Sequence, residues 1–298
     1  MKTWLAVDIG GTKLAVAIVR GSNILCREQM TTPSSQSPDA MTNALSELIS
    51  PFLNEVDAVA VASTGIIDHG ILTALNPDNL GGLNQYPLQQ VLIDMTGLPV
   101  TVINDAQAAA WAEYHALSSS SPSLINNMAF ITVSTGVGAG LVLDQTLQIG
   151  RRGIAGHAGH TLADSSGPRC GCGRIGCVES IASGTAMGVA GRSFLGESSD
   201  GHKVYRQHLA GNEQASLIVQ RSALTIANLI ADLTISLDLD VVVLGGSVGL
   251  AQGYCDMVDT ALAAMPAIYR PKVMTATAGN DAGLLGVVHW AESNFEKR

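Results

Sequence analysis

Two glycine turns, each entered by a short apolar strand and left by another, constrain the fold of this chain more than any other feature. Residues 5–9 lead into Gly10-Gly11-Thr12-Lys13, and residues 14–19 continue as a second strand. Residues 129–133 lead in the same way into a turn at 134–140, from which residues 141–143 continue. Because the unit recurs, we predict an internally duplicated fold with one hairpin in each of two lobes.

Strands and helices alternate along the rest of the chain, which predicts an α/β class with mixed central sheets. The pattern assigns helices to 38–52, 105–117, 213–236 and from 282 onward, and strands to 58–62, 98–103 and 241–244. A polar loop at 63–84 is long enough to indicate a functional role. A serine-rich hinge at 118–123 divides the predicted lobes into 1–118 and 119–298.

The charge and hydropathy patterns exclude several classes of protein. A net charge of −9, a pI near 5.1 and no cluster of Lys or Arg argue against nucleic acid as a partner. Asp8 and Lys13 interrupt the apolar N-terminal run, which favours a strand over a signal peptide. No uninterrupted apolar stretch of about 18 residues occurs, so we predict no membrane partner.

The first turn has the composition of an anion-binding loop. Gly10 and Gly11 allow the backbone to approach an oxyanion, and exposed turn amides form a concave anion site. Asp8, at the end of the preceding strand, is placed to hold the Mg²⁺ that accompanies a nucleotide. An ordinary tight hairpin is the alternative, and the second copy of the unit weakens it.

Two further sites follow strands. Gly245-Gly246 ends the strand at 241–244 and suits the close approach of a ligand, although such junctions also arise from packing. Asn104 and Asp105 follow the strand at 98–103, where ligands of α/β sheets gather. Asp105 fits the base that receives a hydroxyl proton during phosphoryl transfer, but the residues alone favour a helix cap. We also interpret Asp281 as the cap of the last helix.

A histidine and three closely spaced cysteines predict a structural zinc site. The predicted ligands are His160, Cys170, Cys172 and Cys177. One imidazole and three thiolates are a common ligand set of closed, structural zinc sites. Three of the five cysteines fall within eight positions, which indicates metal binding in a reducing compartment, by default the cytoplasm. Cys26 and Cys255 have no such neighbours and are interpreted as small core or surface residues.

The motifs DIGGTK, NDAQAAA, STGVGAG, GHAGH with CGCGRIGCVE, and VVLGGSVG occur in this order and resemble the ROK family of sugar kinases. The resemblance implies the two-lobed actin-like, hexokinase-like ATPase fold, with the adenosine site in the C-terminal lobe. It implies Asp105 as catalytic base in the N-terminal lobe, a structural Zn²⁺ on the four ligands above, and ATP with Mg²⁺. The implied nucleotide residues are Ala6, Val7, Asp8, Ile9, Gly10, Gly11, Thr12, Lys13, Val133, Ser134, Thr135, Gly136, Val137, Gly138, Ala139, Gly140, Gly245 and Gly246.

The resemblance also implies a set of sugar contacts and a substrate class. The implied contacts are Gly65, Asn79, Asn104, His157, His160 and Glu179. Thr64 and Ser134 depart from the Pro and Gly that are usual in the family, and His157 stands where glucose-specific members have Glu. The combined motifs are most similar to members that phosphorylate the 6-hydroxyl of N-acetylmannosamine during sialic acid catabolism.

Three alternatives stay open at this stage. The family includes repressors with an N-terminal helix-turn-helix, but the first strand begins too close to Met1 for that module. A non-catalytic sugar-binding protein is disfavoured by the presence of Asp8, Thr12 and Asp105 together. A glucokinase or another hexose kinase of the family is the enzyme alternative. The resemblance further implies a homodimer.

Overall fold

The computed structural model describes residues 2–33, 37–76, 80–120 and 124–295. The chain forms two compact units, each built from more than one segment. Unit 1 comprises residues 1–120, 147–155 and 278–298, and unit 2 comprises residues 121–146 and 156–277. The predicted Asn79 and residues 121–123 of the predicted hinge lie outside the described residues.

The strands are β1 (Thr3–Ile9), β2 (Lys13–Arg20), β3 (Asn23–Thr31), β4 (Ala58–Ser63), β5 (Ile66–Asp68), β6 (Ile71–Thr73), β7 (Val100–Asn104), β8 (Met128–Val133), β9 (Val137–Leu143), β10 (Thr146–Gln148), β11 (Val241–Gly245) and β12 (Lys272–Thr275). The α-helices are α1 (Pro38–Ile49), α2 (Leu88–Thr96), α3 (Asp105–Ser120), α4 (Glu179–Ala182), α5 (Gly184–Leu195), α6 (Gly201–Leu209), α7 (Glu213–Leu237), α8 (Gly246–Gly249), α9 (Tyr254–Ala263) and α10 (Ala282–Phe295). Both hairpins and most of the predicted elements are present, with ends shifted by a few residues.

The sheet of unit 1 has the order β3-β2-β1-β4-β7. β2 is antiparallel to both β1 and β3, whereas β4 is parallel to β1 and to β7. The strands β1, β2 and β4 are apolar on both faces and almost fully buried, which is the pattern of strands covered on both sides. The carboxyl ends of the parallel strands β1, β4 and β7 bring Asp8 and Asn104 to one edge of the sheet.

The second five-stranded sheet, whose strands β8, β9, β11 and β12 belong to unit 2, repeats this arrangement with the order β10-β9-β8-β11-β12. β9 is antiparallel to β8, and β11 is parallel to both β8 and β12. The hairpin β8-β9 therefore takes the place that β1-β2 takes in unit 1. The predicted duplicated α/β fold with mixed sheets is confirmed.

The division of the chain differs from the predicted boundary at residue 118. The last helix, α10, belongs to unit 1, where it packs against α3 and β4. A Cβ atom at Gly286 would lie 1.8 Å from the carbonyl oxygen of Ala108, so only glycine permits this close helix contact. Residues 147–155 also lie in unit 1, where Gln107 Nε2 donates to the carbonyl oxygen of Ala155 at 2.9 Å.

Two segments, the polar stretch at 63–84 and the apolar helix α7, have structures that their hydropathy alone does not indicate. The polar stretch at 63–84 contains the antiparallel pair β5 and β6, followed after residue 79 by a short 3₁₀ helix at Leu80–Gly82. Among the described residues, α7 is the one helix long and apolar enough to cross a bilayer. Half of its most apolar window is buried within the protein.

Candidate functional site

The turn between β1 and β2 is held by backbone contacts that leave its glycines at the surface of unit 1. Gly10 N donates to the carbonyl oxygen of Lys13 at 2.9 Å, and Thr32 Oγ1 donates to the carbonyl oxygen of Gly10 at 2.7 Å. Thr32 N also donates to the carbonyl oxygen of Thr12 at 3.1 Å. The predicted anion-binding turn is therefore held by Thr32, the residue that follows β3.

Asp8 and Asp105 form a half-buried acidic pair in unit 1. Burial, together with the negative charges of Asp105 and Asp281, raises the pKa of Asp8 to about 7, and the positive charge of Arg27 opposes the shift. Gly283 lets the first turn of α10 approach, because a Cβ atom there would lie 3.3 Å from Asp8 Oδ2. Asp281 Oδ1 lies 3.1 Å from Arg27 Nε, and the two side chains form an ion pair. The sequence pattern indicated a helix cap at Asp281 and did not predict this ion pair.

Asn104, and not Asp105, caps the N-terminus of α3. Its Oδ1 atom accepts from Ala106 N at 2.9 Å and from Gln107 N at 3.3 Å, the two contacts typical of an N-cap. Its Nδ2 atom donates to the carbonyl oxygen of Gly65 at 2.9 Å. Asp105 therefore stands at the first helical position with a carboxylate that the cap does not require.

Burial raises the pKa of Asp105, while the backbone N–H of Ala106 and the side chain of Asn104 oppose the shift. Ala106 N lies 2.8 Å from Asp105 Oδ1. A carboxylate with a raised pKa accepts a proton more readily than an exposed one. The arrangement at this end of β7 is therefore suited to general base chemistry.

We expect Asn104→Ala to lower the free energy of unfolding by about 2–3 kcal/mol, because the substitution removes a helix cap and leaves the Gly65 carbonyl without this donor. Asn212→Ala is the matched control, since Asn212 caps α7 through Ala215 N at 3.0 Å. Loss of that cap alone costs about 1 kcal/mol. Urea unfolding of both variants checks the difference, and an equal cost would show that the Gly65 contact contributes nothing.

The turn between β8 and β9 is held by residues that follow the cysteine loop. Ser134 N donates to the carbonyl oxygen of Gly136 at 2.9 Å, and Gly184 N donates to the carbonyl oxygen of Ser134 at 2.7 Å. Val137 N donates to Glu179 Oε2 at 3.0 Å. The sequence indicated neither the contact of Glu179 nor that of Gly184, because both join residues more than 40 positions apart.

A cavity of about 370 Å³ opens beside this turn, entirely within unit 2. It is lined by the turn, by the strand-helix junction after β11, and by α5 and α6, through Ser134, Thr135, Gly184, Thr185, Gly188, Val189, Arg192, Ser199, Asp200, Gly201, His202, Tyr205, Arg206, Ser247, Val248 and Ala251. Gly246 has a φ of 82°, and a Cβ atom there would lie 2.4 Å from the carbonyl oxygen of Val133. Sequence reasoning predicted the turn and the glycine junction but missed α5 and α6, whose sequences carry no motif.

The four predicted zinc ligands converge in unit 2. One ligand atom from each of His160, Cys170, Cys172 and Cys177 lies within 4.8 Å of the other three. Cys170 Sγ lies 3.7 Å from His160 Nδ1, and Cys172 Sγ lies 3.7 Å from Cys177 Sγ. Tetrahedral zinc with bonds of about 2.3 Å to sulfur separates its ligands by about 3.8 Å. The donor set and its spacing therefore fit zinc.

The backbone of the cysteine loop depends on glycine. Gly176 has a φ of 71°, and a Cβ atom there would lie 1.6 Å from the carbonyl oxygen of Asp164. Burial raises the pKa of Cys170 to about 12, which keeps this thiol neutral unless a cation is bound. Arg174 Nη1 donates to the carbonyl oxygen of His160 at 3.1 Å and so brings a positive charge beside the ligands.

The predicted sugar contacts fall into two groups. Gly65 and Asn104 lie together in unit 1, and a Cβ atom at Gly65, whose φ is 91°, would lie 2.8 Å from the carbonyl oxygen of Thr73. In unit 2, His157 precedes the 3₁₀ helix Ala158–His160, His160 is its last residue, and Glu179 begins α4. The assignment of all these residues to a sugar stays a prediction.

Similarity to known proteins extends over almost the whole chain. The sequence pattern that defines the ROK family matches residues 4–294. The N-acetylmannosamine kinase of Haemophilus influenzae is 50% identical over 288 residues, which cover 97% of this chain and 95% of the relative. The N-acetylmannosamine kinase of Citrobacter koseri is 52% identical over 291 residues, which cover 97% of this chain and 99% of the relative.

The fold has a counterpart among solved structures. The ROK hexokinase from Thermus thermophilus superimposes with a TM-score of 0.84 at 30% sequence identity, covering 99% of this chain and 100% of that chain. Similarity in sequence and in structure therefore extends to both units.

Proposed function

The chain belongs to the ROK family, and from that premise we propose that it is an ATP-dependent kinase that phosphorylates the 6-hydroxyl of N-acetylmannosamine. The observation that supports the chemistry best is the cap at α3, where Asn104 binds the helix terminus and leaves the Asp105 carboxylate for a substrate. The identity of about half of all positions to N-acetylmannosamine kinases supports the substrate.

In the proposed reaction the sugar hydroxyl oxygen attacks the terminal phosphorus of ATP, and its proton passes to Asp105 as the bond to the ADP oxygen breaks. The raised pKa of Asp105 favours this acceptance. Phosphoryl transfer otherwise depends on positioning and on charge stabilisation. Asp8 is the proposed residue for Mg²⁺. The positive charge of the ion would offset the repulsion between the Asp8 and Asp105 carboxylates, which contributes to the raised pKa of Asp8.

For the nucleotide, we propose that the cavity of unit 2 holds adenosine and that the two glycine turns approach the phosphates. The proposed phosphate residues are Ala6 to Lys13 and Val133 to Gly140, with Gly245 and Gly246 at the cavity. Backbone N–H groups in such turns bind anions without a charged side chain. Lining residues Arg192 and Arg206 add positive charge to the cavity.

For the sugar, Gly65, Asn79, Asn104, His157, His160 and Glu179 are the proposed contacts. A coupled assay with ATP across N-acetylmannosamine, glucose, mannose, fructose, allose and N-acetylglucosamine tests the function. We expect the highest kcat/KM for N-acetylmannosamine. A preference for glucose would favour a glucokinase of the same family, and no turnover of any sugar would contradict kinase activity.

His157→Glu is expected to lower kcat/KM for N-acetylmannosamine and to raise it for glucose. A carboxylate only accepts hydrogen bonds, whereas a neutral imidazole has one donor and one acceptor and an apolar face suited to an N-acetyl group. We expect the ratio of the two kcat/KM values to shift by about 1–3 kcal/mol. Equal losses on both sugars, or loss of zinc, would show that His157 supports the cysteine loop and does not select the sugar.

Three further properties are part of the proposal. One Zn²⁺ is held by His160, Cys170, Cys172 and Cys177, and it would fix the loop structurally. A reducing compartment such as the cytoplasm keeps these thiols reduced and available to bind zinc. A homodimer is proposed from the family resemblance, and light scattering after size exclusion tests it.

A further inference from the structure

Glu179 joins the cysteine loop to the turn between β8 and β9. It follows the predicted zinc ligand Cys177 by two positions and begins α4. Its Oε2 atom accepts from Val137 N at 3.0 Å, and its Oε1 atom lies 3.9 Å from Cys170 Sγ. One carboxylate therefore contacts a predicted zinc ligand on one side and the glycine turn on the other.

Gly136 gives independent evidence that Glu179 fits closely against this turn. A Cβ atom at Gly136 would lie 2.5 Å from Glu179 Oε2 and 3.4 Å from Glu179 Cδ, and no other atom would lie within 4 Å. The φ of Gly136 is outside the left-handed region, so its backbone conformation suits any residue. A methyl group at this position would have to displace the Glu179 carboxylate, which occupies the space of a side chain.

The other side of the same turn faces the cavity of unit 2. Ser134 and Thr135 line that cavity, and their carbonyl oxygens accept from Gly184 N and Thr185 N at the start of α5. The turn is thus fixed between α5 on the cavity side and Glu179 on the side of the cysteine loop. A continuous series of contacts therefore joins Cys170 to Glu179, Glu179 to the turn, and the turn to the cavity.

We propose that Glu179 is a positioning residue for nucleotide binding, which holds the second phosphate turn in place and makes that turn dependent on the cysteine loop. The inference rests on the proposed role of this turn in binding a nucleoside diphosphate or triphosphate. This role uses Oε2, which binds Val137 N, and is additional to the sugar contact proposed for Glu179. The turn amides point at an anion only while the turn keeps its conformation.

The experiment measures ADP affinity by calorimetry without any sugar, together with zinc content, for wild type and five variants. We expect Glu179→Ala to raise the Kd for ADP by about tenfold at unchanged zinc content, the scale of one charge-assisted hydrogen bond. Glu179→Gln keeps an acceptor for Val137 N, so its Kd stays within about threefold of wild type. Glu213→Ala removes an exposed carboxylate at the start of α7 and leaves the Kd unchanged.

Gly136→Ala gives the decisive comparison, because it leaves every carboxylate and zinc ligand in place. Alone it displaces the Glu179 carboxylate and raises the Kd by about tenfold. Combined with Glu179→Ala it adds nothing, since the only atoms that its methyl group would meet are gone.

An unchanged Kd in Glu179→Ala, or separate losses that add in the double variant, would overturn the proposal. If Glu179→Ala fails to fold or loses zinc, Gly136→Ala decides, and wild-type affinity in that variant overturns the proposal equally. Because no sugar is present, a wrong sugar assignment leaves these results valid. Absence of ADP binding to the wild-type chain would overturn both this proposal and the proposed function.

Discussion

Asp105→Asn is expected to leave the fold intact and to reduce kcat by two to four orders of magnitude, about the contribution of a general base. The amide keeps the shape of the side chain but does not accept the hydroxyl proton. The helix is not weakened, because Asn104 makes the capping contacts to Ala106 N and Gln107 N. Steady-state kinetics with N-acetylmannosamine and ATP measure the loss.

The stability of the same variant separates a base from a structural residue. Burial raises the pKa of Asp105 in the folded chain above its value in the unfolded chain. The folded state therefore binds this proton more tightly, and its stability falls as pH rises from the unfolded pKa through the folded pKa. Asn removes that penalty, so Asp105→Asn is expected to be at least as stable as wild type at neutral pH.

The pH dependence of the wild-type enzyme gives a third measurement. Since the base must be ionised, kcat is expected to fall as pH decreases through a pKa above the usual Asp value of about 3.9. Asp8 and Asp105 interact, so the acid limb of the profile belongs to the pair. Asp259→Asn, on α9 in unit 2, is the control and should leave kcat unchanged. Turnover of Asp105→Asn within threefold of wild type would contradict the assignment.

Removal of zinc is the second change with a large expected effect. Cys172→Ala or treatment with a strong chelator is expected to remove one zinc ion per chain and to lower kcat/KM by at least about 100-fold, the upper end of the loss seen when support around a metal is removed. Without a cation the Cys170 thiol stays neutral, because burial raises its pKa. His157, His160 and Glu179 depend on this loop for their positions.

Elemental analysis of protein purified without chelator, before and after treatment, gives the zinc content. Thermal unfolding measures the accompanying loss of stability, because structural zinc is coupled to folding of its loop. Cys26→Ser and Cys255→Ser are the controls, since these cysteines are outside the cluster of four ligands. They should retain zinc and activity. Full activity with almost no zinc would exclude the site.

The sequence by itself determined the features that depend on neighbouring residues. Gly10-Gly11 and the matching turn before Val137 each follow a run of apolar residues, so the two hairpins and the duplication could be predicted from local pattern. The three cysteines lie within eight positions, and a short loop brings such residues together in almost any conformation. The zinc ligands were predicted for this reason, and the family was recognised from the order of the motifs.

Only the tertiary structure decided the contacts between residues far apart in the chain. α10 joins unit 1 because Gly286 lets it pack on Ala108, a contact that no local pattern indicates. Glu179 Oε2 reaches Val137 N, and α5 and α6 complete the cavity, because packing of unit 2 brings separate segments together. Asn104 and Asp105 are equally good caps by composition. Asn104 takes the cap because its amide group can also donate to the Gly65 carbonyl, which a carboxylate cannot do.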